Sequence, residues 1–223
     1  MVVRVAERAQ LSGAAEVIVA TDDVSIVDAC ARHGVRAVMT LATHSSGTDR
    51  IAEVARKLQW PEEVVVVNVQ GDEPLIEPEL IAATAAKISE TSLMATAAHP
   101  VHNIGELFNP HIVKVILDRE SRALYFSRAP IPWDRSAFSE TQKKMSEGYA
   151  ALRHIGLYAF RNSFLQTYSS LSASPIEQFE ALEQLRVLWH GYAISVHVSE
   201  SIPVAGVDTP EDLERVRQHF MLT

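Results

Sequence analysis

The sequence has few of the features that mark secreted or membrane proteins. Cys30 is the only cysteine among 223 residues, which excludes a disulfide framework and a zinc site built from cysteines. The first residues include charged side chains, and no apolar run reaches the roughly eighteen residues of a membrane span. The sequence therefore predicts a cytoplasmic protein with neither a secretory leader nor a transmembrane helix.

Positive charge is also scarce, because 20 lysines and arginines stand against 28 aspartates and glutamates. The net charge of -8 is spread along the chain, which argues against sequence-independent binding to nucleic acid or to anionic membranes. An anionic ligand would need a local basic pocket. No Gly-x-Gly-x-x-Gly motif follows an early strand, so a nicotinamide dehydrogenase is set aside.

Short apolar strands alternate with amphipathic helices, which is typical of an α/β fold with a mainly parallel sheet. The length fits one domain, residues 1–223. Within residues 103–160 the pattern changes, since Ile112–Leu117 and Ala123–Phe126 flank a polar stretch that is too short for a crossover helix. We expect a smaller antiparallel lobe here.

The most informative stretch runs from Val64 to Pro74. Val64–Val67 is an unbroken β-branched run, which predicts a central strand covered on both faces of a parallel sheet. Asp72 follows it, where ligands of open α/β sheets bind. Its carboxylate suits Mg²⁺, which takes one or two protein carboxylates plus substrate phosphates. A simple tight turn explains Asp72 equally well.

Two further charged residues stand near predicted helix starts. A helix begins near Thr48, a good N-cap, and places Arg50 in its first turn, where a cation opposes the helix dipole. A nearby anion or ligand would explain Arg50, but this sequence evidence alone favours an arginine that points into water. Asp208 precedes the last helix, with Thr209 as its N-cap. It either complements the dipole or supplies a second metal carboxylate.

The later part of the chain carries candidate residues for an acidic ligand. Arg128 and Arg135 lie on a proline-stiffened segment and can bind a carboxylate through paired hydrogen bonds. In the strand Arg153–Phe160, His154 and Tyr158 share one face. That face contacts a ligand or is an ordinary amphipathic edge.

A helix is predicted from Ser174 to His190, since Ser174 and Glu177 form a capping box around Pro175. Glu183 then falls on an apolar side of this helix, because Phe179 lies four residues before it. A charge in that place needs a partner. An ion pair is slightly favoured over a polar ligand.

Five motifs in the same order resemble the CMP-Kdo synthetases, the 3-deoxy-manno-octulosonate (Kdo) cytidylyltransferases of bacterial lipopolysaccharide synthesis. The motifs are Ser46-Gly-Thr-Asp-Arg50, Asn68-Val-Gln-Gly-Asp-Glu-Pro74, Arg153-His-Ile-Gly-Leu-Tyr158, Leu182-Glu-Gln-Leu-Arg186 and Gly206-Val-Asp-Thr-Pro-Glu-Asp-Leu213. The resemblance implies a Rossmann-like nucleotidyltransferase fold. It also implies an enzyme that transfers CMP from CTP to Kdo, uses Mg²⁺ and usually forms a dimer.

The resemblance also implies site residues. Asp72 and Asp208 correspond to the catalytic carboxylates that bind magnesium, and Arg50 and Gln70 to residues that line the nucleotide and sugar pocket. The remaining residues match the positions that hold the acidic sugar in the family: Arg128, Arg135, His154, Tyr158, Glu183 and Gln184.

One departure from the family concerns its N-terminal strand and arginine-rich phosphate loop, which do not occur in this sequence. That strand is the innermost of the family's sheet, so we expect apolar side chains here to lack a neighbour. A CMP-sialic acid or other acidic-sugar cytidylyltransferase is the closest alternative. A catalytically silent sugar-nucleotide binding protein is the alternative from another class.

Overall fold

The computed structural model describes residues 1–44, 46–138, 144–204 and 206–222. The chain divides into two compact units. The first unit comprises Met1–Ala86, Leu157–Ser169 and Pro203–Thr223, and the second comprises Lys87–Gly156 and Ser170–Ile202. Within the described ranges, no helix combines the length and the apolar character that crossing a membrane requires.

The first unit contains most of the helices and a pair of short parallel strands. Its helices are α1 (Val2–Gln10), α2 (Val24–Arg32), α3 (Gly47–Lys57), α4 (Pro78–Ala85), α6 (Asn162–Tyr168) and α9 (Pro210–Leu222). Strands β1 (Val19–Thr21) and β2 (Ala37–Met39) run parallel. The buried cluster beneath them joins Ala6, Val19, Cys30 and Val35. The predicted β-α-β alternation at the start of the chain is thereby confirmed.

The valine-rich strand differs from its prediction. Strand β3 spans Val65–Asn68 and pairs with the last residues of β7 (Leu152–Arg161), but the pairing is antiparallel. Val66 is buried whereas Val65 is 38% exposed. The prediction of a strand covered on both faces of a parallel sheet is therefore wrong, because a β-branched run fits any pleated surface and does not reveal how many faces are covered.

The second unit contains the antiparallel hairpin that the sequence predicts. Strands β5 (Lys114–Leu117) and β6 (Ala123–Ser127) are antiparallel, and β5 also pairs with the first residues of β7. Strands β4 (Met94–Pro100) and β8 (Ile194–Val198) run parallel, and the strand order is β6-β5-β7-β4-β8. The short helix α5 spans Ile104–Phe108. A parallel pair and an antiparallel hairpin thus share one mixed sheet.

The helix predicted from Ser174 to His190 is interrupted. Helix α7 spans Pro175–Glu180 with the predicted Ser174–Glu177 capping box, and α8 spans Gln184–Trp189. Between them Ala181 adopts a left-handed backbone with φ 51°. The argument that Glu183 shares an apolar helix side with Phe179 is therefore wrong, since Glu183 is exposed and Phe179 is 89% exposed.

Candidate active site

Asp72 and Asp208 lie on adjoining turns of the first unit. Asp72 is in the turn after β3, and the backbone N–H of Val207 donates to the Asp72 carbonyl oxygen at 2.9 Å. A Cβ at Gly206 would come within 3.1 Å of the same oxygen and 3.0 Å of Glu73 Oε1. Only glycine allows so close an approach without displacement. The fold thus brings together two acids that are far apart in the sequence.

Neither of these carboxylates serves a structural contact within the described part of the chain. Asp208 does not cap α9, because Asp212 accepts from Thr209 N at 3.0 Å and from Thr209 Oγ1 at 2.8 Å. The predicted N-cap Thr209 is confirmed by the Asp212 N–H, which donates to Thr209 Oγ1 at 3.2 Å. Thr209 also holds the pKa of Asp212 down to about 2. The Asp208 carboxylate remains available to a ligand.

These two carboxylates form a donor set suited to a hard cation that keeps other ligands. No group of three or more His, Cys, Asp or Glu side chains able to hold a metal occurs in the described residues, so a closed site of the zinc type is not built there. Mg²⁺ typically takes one or two protein carboxylates and completes its octahedron with water and phosphate oxygens. The residues present fit that requirement.

Arg50 is tied to protein groups rather than directed into water. Its Nη1 donates to Thr40 Oγ1 at 2.6 Å, and its Nη2 donates to Asp22 Oδ2 at 3.2 Å. The alternative of an arginine pointing outward is therefore wrong. Asp22 is the nearby anion, and it offsets the unfavourable charge of Arg50 at the start of the helix. The N-cap is also corrected, because Ser46, not Thr48, accepts the Asp49 N–H at 3.1 Å.

The other two predicted residues of the first unit lie near the end of β3. Gln70 is exposed, just beyond the end of β3. Tyr158 is partly buried in β7, where it pairs in register with Asn68. Five of the ten predicted residues thus belong to this unit: Arg50, Gln70, Asp72, Tyr158 and Asp208.

Glu53 is a buried acid that the sequence interpretation missed. Its carboxylate accepts from the Leu41 backbone N–H at 3.0 Å, lies 2.6 Å from Lys57 Nζ and contacts His44 Nε2. The hydrogen bond from Lys57 contributes most to a pKa of about 2, and those from Leu41 and His44 add to it. Glu53 thereby fixes the segment that follows Thr40, the partner of Arg50. The Glu53-to-Lys57 spacing of four was the only sequence signal.

Glu53→Gln is expected to flatten the acid limb of the stability profile. The Glu53 carboxyl has a pKa of about 2 in the folded chain, against an ordinary value of 4.5, so it stabilises the folded chain fully above pH 4.5. This contribution is lost as pH falls toward 2. Urea unfolding between pH 2 and 7 measures this loss. Glu7→Gln, which removes an exposed acid paired with Arg4, is the control and should keep the wild-type slope. An unchanged slope in Glu53→Gln would refute this assignment.

Arg128 holds the end of α7 in the second unit. Its Nε donates to the Glu180 carbonyl at 2.7 Å, Nη1 to Pro110 O at 3.1 Å and Nη2 to Ala181 O at 3.3 Å. The Glu180 carboxylate in turn accepts from the Arg128 backbone N–H at 2.9 Å. Three of the five guanidinium N–H groups thus donate to described groups of the protein, and the other two have no partner among the described residues.

Lys114 is a second buried group that the sequence did not reveal. The side chain is fully buried, and Nζ donates to the carbonyls of Asn109 at 3.0 Å, Ile112 at 2.5 Å and Arg128 at 2.6 Å. Burial lowers the pKa of Lys114. Three carbonyls satisfy all three ammonium protons, so Lys114 fastens the segment before β5 to the backbone of Arg128.

Glu183 and Gln184 follow the turn that Arg128 holds. Gln184 is 3% exposed, and its Nε2 makes no hydrogen bond within the described residues. An unsatisfied buried amide costs free energy, roughly 1 to 3 kcal/mol. A bound polar ligand would remove that cost. Glu183 is exposed beside it.

His154 and Arg135 complete the predicted residues of the second unit. His154 is partly buried, with Nε2 2.9 Å from Thr96 Oγ1, and desolvation lowers its pKa to about 3. Arg135 is exposed and follows Asp134, whose carboxylate accepts from Ser146 Oγ at 2.5 Å. Arg128, Glu183 and Gln184 belong to the same unit.

Comparison with known proteins gives consistent matches. A family model described as cytidylyltransferase matches residues 1–201. A 3-deoxy-manno-octulosonate cytidylyltransferase from Herminiimonas arsenicoxydans is 62% identical, covering 99% of this chain and 88% of the relative. The protein of that name from Neisseria meningitidis serogroup A is 57% identical over 99% of this chain and 87% of its own length.

Solved structures agree. The structure of CMP:2-keto-3-deoxy-manno-octonic acid synthetase complexed with CTP matches with a TM-score of 0.87 and 39% identity, covering 98% of this chain and 86% of that one. A 4-diphosphocytidyl-2C-methyl-D-erythritol synthase matches with a TM-score of 0.60 and 11% identity, which supports the α/β nucleotidyltransferase fold alone. The chain therefore belongs to the cytidylyltransferase family and, within it, to the 3-deoxy-manno-octulosonate cytidylyltransferases.

Proposed function

We propose that the chain transfers CMP from CTP to Kdo, forming CMP-Kdo and releasing diphosphate. The observation that carries the proposal is the Val207-to-Asp72 hydrogen bond, which brings Asp208 beside Asp72. The relatives named for this reaction support it, as does the related synthetase complexed with CTP. We infer further that the product serves lipopolysaccharide synthesis in the cytoplasm and that the enzyme is a homodimer.

Asp72 and Asp208 would hold the magnesium ion. When bound, Mg²⁺ neutralises the charge that develops on phosphate oxygens during transfer. Neither carboxylate is committed to another described group, so both keep their oxygens for this role. Arg50 and Gln70, which belong to the same unit as the two aspartates, would contact the nucleotide and the sugar.

The second unit would bind the acidic sugar. Gln184 offers a buried amide donor to a sugar hydroxyl, and Glu183 beside it offers acceptors. Arg128 retains two N–H groups that suit one carboxylate, and the exposed Arg135 offers a second guanidinium. His154, in the same unit, would contact a further hydroxyl.

Attack of the sugar hydroxyl on the α-phosphorus needs no covalent enzyme intermediate. Phosphoryl and nucleotidyl transfers depend chiefly on alignment of the two reactants and on electrostatic stabilisation. Arg128, Gln184 and their neighbours would align the hydroxyl, while the two aspartates would fix the triphosphate. The carboxylates near the phosphate are also the acids best suited to accept the hydroxyl proton.

Diphosphate release tests the proposal directly. Release should require CTP, Kdo and Mg²⁺ together, and omission of any one should reduce it to background. Release with N-acetylneuraminate in place of Kdo would favour the sialic acid alternative, and release with UTP and a neutral sugar would contradict the proposal. Calorimetric binding of CTP and Kdo without turnover would instead identify a silent sugar-nucleotide binding protein.

A further inference from the structure

The end of strand β6 and the end of helix α7 are joined by hydrogen bonds in both directions. The Glu180 carboxylate accepts from Ser127 Oγ at 2.6 Å and from the Arg128 backbone N–H at 2.9 Å. In return, the Arg128 side chain donates from Nε to the Glu180 carbonyl oxygen at 2.7 Å and from Nη2 to Ala181 O at 3.3 Å. Both the backbone and the side chain of Arg128 are thus held by the end of α7.

Lys114 holds the same segment through the other backbone group of Arg128. Its buried Nζ donates to the Arg128 carbonyl oxygen at 2.6 Å. Burial is the largest influence on the pKa of Lys114 and lowers it, while the charge of Glu180 raises it and that of Arg128 lowers it. The three charges therefore act on one another. Two cations and one anion leave an excess of one positive charge, which the carboxylate of a ligand would neutralise.

The bonds to the end of α7 also support the turn that leads to Gln184. Ala181 has a φ of 51°, in the left-handed region that alanine avoids unless its surroundings support it. Gln184 begins α8 just after this turn, with its side chain buried and Nε2 without a partner among the described residues. The contacts of Glu180 therefore bear on two groups proposed to bind the sugar, the Arg128 guanidinium and the Gln184 amide.

We propose that Glu180 is a positioning residue whose carboxylate holds Arg128 and the turn before Gln184 in the arrangement that receives the acidic sugar. Both of its oxygens accept hydrogen bonds from the protein, so it acts through Arg128 rather than on the sugar. The sugar roles of Arg128 and Gln184 rest on the proposed function, whereas the coupling of the two segments by Glu180 does not.

The sign of the effect on sugar binding separates positioning from charge. Because Glu180 and the sugar are both anionic, removal of Glu180 would by charge alone strengthen sugar binding, whereas loss of position would weaken it. We expect Glu180→Ala to raise KM for Kdo about tenfold, the size of one lost hydrogen bond to a charged group, while KM for CTP stays within about twofold. Glu180→Gln keeps an acceptor oxygen for the Arg128 N–H and should stay within about threefold of wild type.

The matched control is Asp118→Ala, at the other end of the β5–β6 hairpin. The Asp118 carboxylate accepts from the Arg122 backbone N–H and from Arg122 Nε, both at 2.9 Å, so its loss removes comparable bonds from the same unit. KM for Kdo should stay within about twofold. Ser127→Ala removes one of the two bonds to the Glu180 carboxylate and should raise KM for Kdo about threefold. It keeps the test decisive if Glu180→Ala does not fold.

A double variant shows whether Glu180 acts through Arg128. Arg128→Met should raise KM for Kdo at least about tenfold, and Glu180→Ala combined with Arg128→Met should stay within about twofold of Arg128→Met alone, because the two residues serve one contact. An unchanged or lower KM in Glu180→Ala would overturn the inference. A rise in the double variant equal to the product of the two single rises would do the same.

Hydrogen exchange of the substrate-free protein, resolved to single amides by NMR, measures the coupling without activity. We expect Glu180→Ala to accelerate exchange of the Arg128 amide and of the Leu182 amide, which donates to Glu177 O at 3.2 Å. Asp118→Ala should change neither. If Arg128→Met keeps the wild-type KM for Kdo, the sugar role of Arg128 in the proposed function fails, even where exchange establishes the coupling. If its KM rises but exchange in Glu180→Ala equals that of wild type, the sugar role holds and the role of Glu180 is refuted.

Discussion

Replacing Asp72 or Asp208 by asparagine is expected to lower kcat/KM for diphosphate release at least about 100-fold. An amide keeps the size of the side chain but removes the charge that would hold the cation, and a bound cation stabilises the developing phosphate charge by several kcal/mol. Each 1.36 kcal/mol corresponds to a tenfold change in rate. Initial rates at saturating CTP and Kdo over a Mg²⁺ titration measure the effect.

The melting temperature should barely change in either variant, because no described group depends on these carboxylates. Glu211→Gln is the matched control, since Glu211 lies three residues after Asp208 in the first turn of α9. It should retain activity within about twofold. Mn²⁺ binding measured by electron paramagnetic resonance in the presence of CTP should weaken in the two aspartate variants alone. Full activity with unchanged metal affinity in Asp72→Asn would refute the assignment.

Local sequence signals located the starts of three helices. The caps at Ser174 and Thr209 and the proline at position 78 define the starts of α7, α9 and α4, because a helix terminus has unsatisfied N–H groups that nearby side chains must satisfy. Such signals lie within one turn of the residue they define. They are therefore readable from sequence without knowledge of the tertiary fold.

Features that depend on a distant partner were not readable. The valine run of β3 predicts a strand. The strand that pairs with it, residues 158–161 of β7, and the antiparallel direction of the pairing depend on the fold. The break at Ala181 likewise has no local signal, since alanine favours helices and avoids the left-handed region. The chain adopts it where the Arg128 side chain bonds the carbonyls of residues 180 and 181.

The candidate site divides in the same way. Asp72 was predicted because acids that follow strands in α/β folds lie at the ligand edge, and Asp208 because it precedes a capped helix. Glu53 and Lys114 were missed, because each is recognised only by what it contacts in space. Buried polar groups require hydrogen-bond partners, but a sequence does not show which partners the fold supplies.

Arg186→Met is expected to destabilise the protein by about 3 to 5 kcal/mol, the usual cost of leaving one member of a buried ion pair alone. Arg186 Nε lies 3.0 Å and 3.2 Å from the Glu177 oxygens, and Nη2 lies 2.5 Å from Oε1. Only 9% of the Glu177 side chain and 17% of Arg186 are exposed. For a chain of this size the melting temperature should fall by about 10 °C.

The pH dependence identifies the cause of that loss. Burial is the largest influence on Glu177 and raises its pKa, but hydrogen bonds from Arg186 and the Ser174 N–H outweigh it and leave the pKa lowered. In wild type this carboxylate therefore stabilises above its ordinary pKa of 4.5, and the contribution is lost as pH falls. In Arg186→Met the Glu177 carboxylate stays buried but loses its ion pair with Arg186, so it protonates more readily. The difference in unfolding free energy between the two proteins should shrink below about pH 4.5.

A double variant, Glu177→Gln with Arg186→Met, should regain at least about half of the lost stability, because the buried group is then uncharged. Arg217→Met is the control, since Arg217 and Glu214 form an exposed pair and should change stability by no more than about 0.5 kcal/mol. The ion pair joins α7 to α8 across the turn before Gln184, so KM for Kdo should rise in Arg186→Met while KM for CTP is unchanged. The loss of stability could instead be independent of pH, or could persist in the double variant. Either result would show that packing of the arginine stem, rather than the buried charge, joins the two helices.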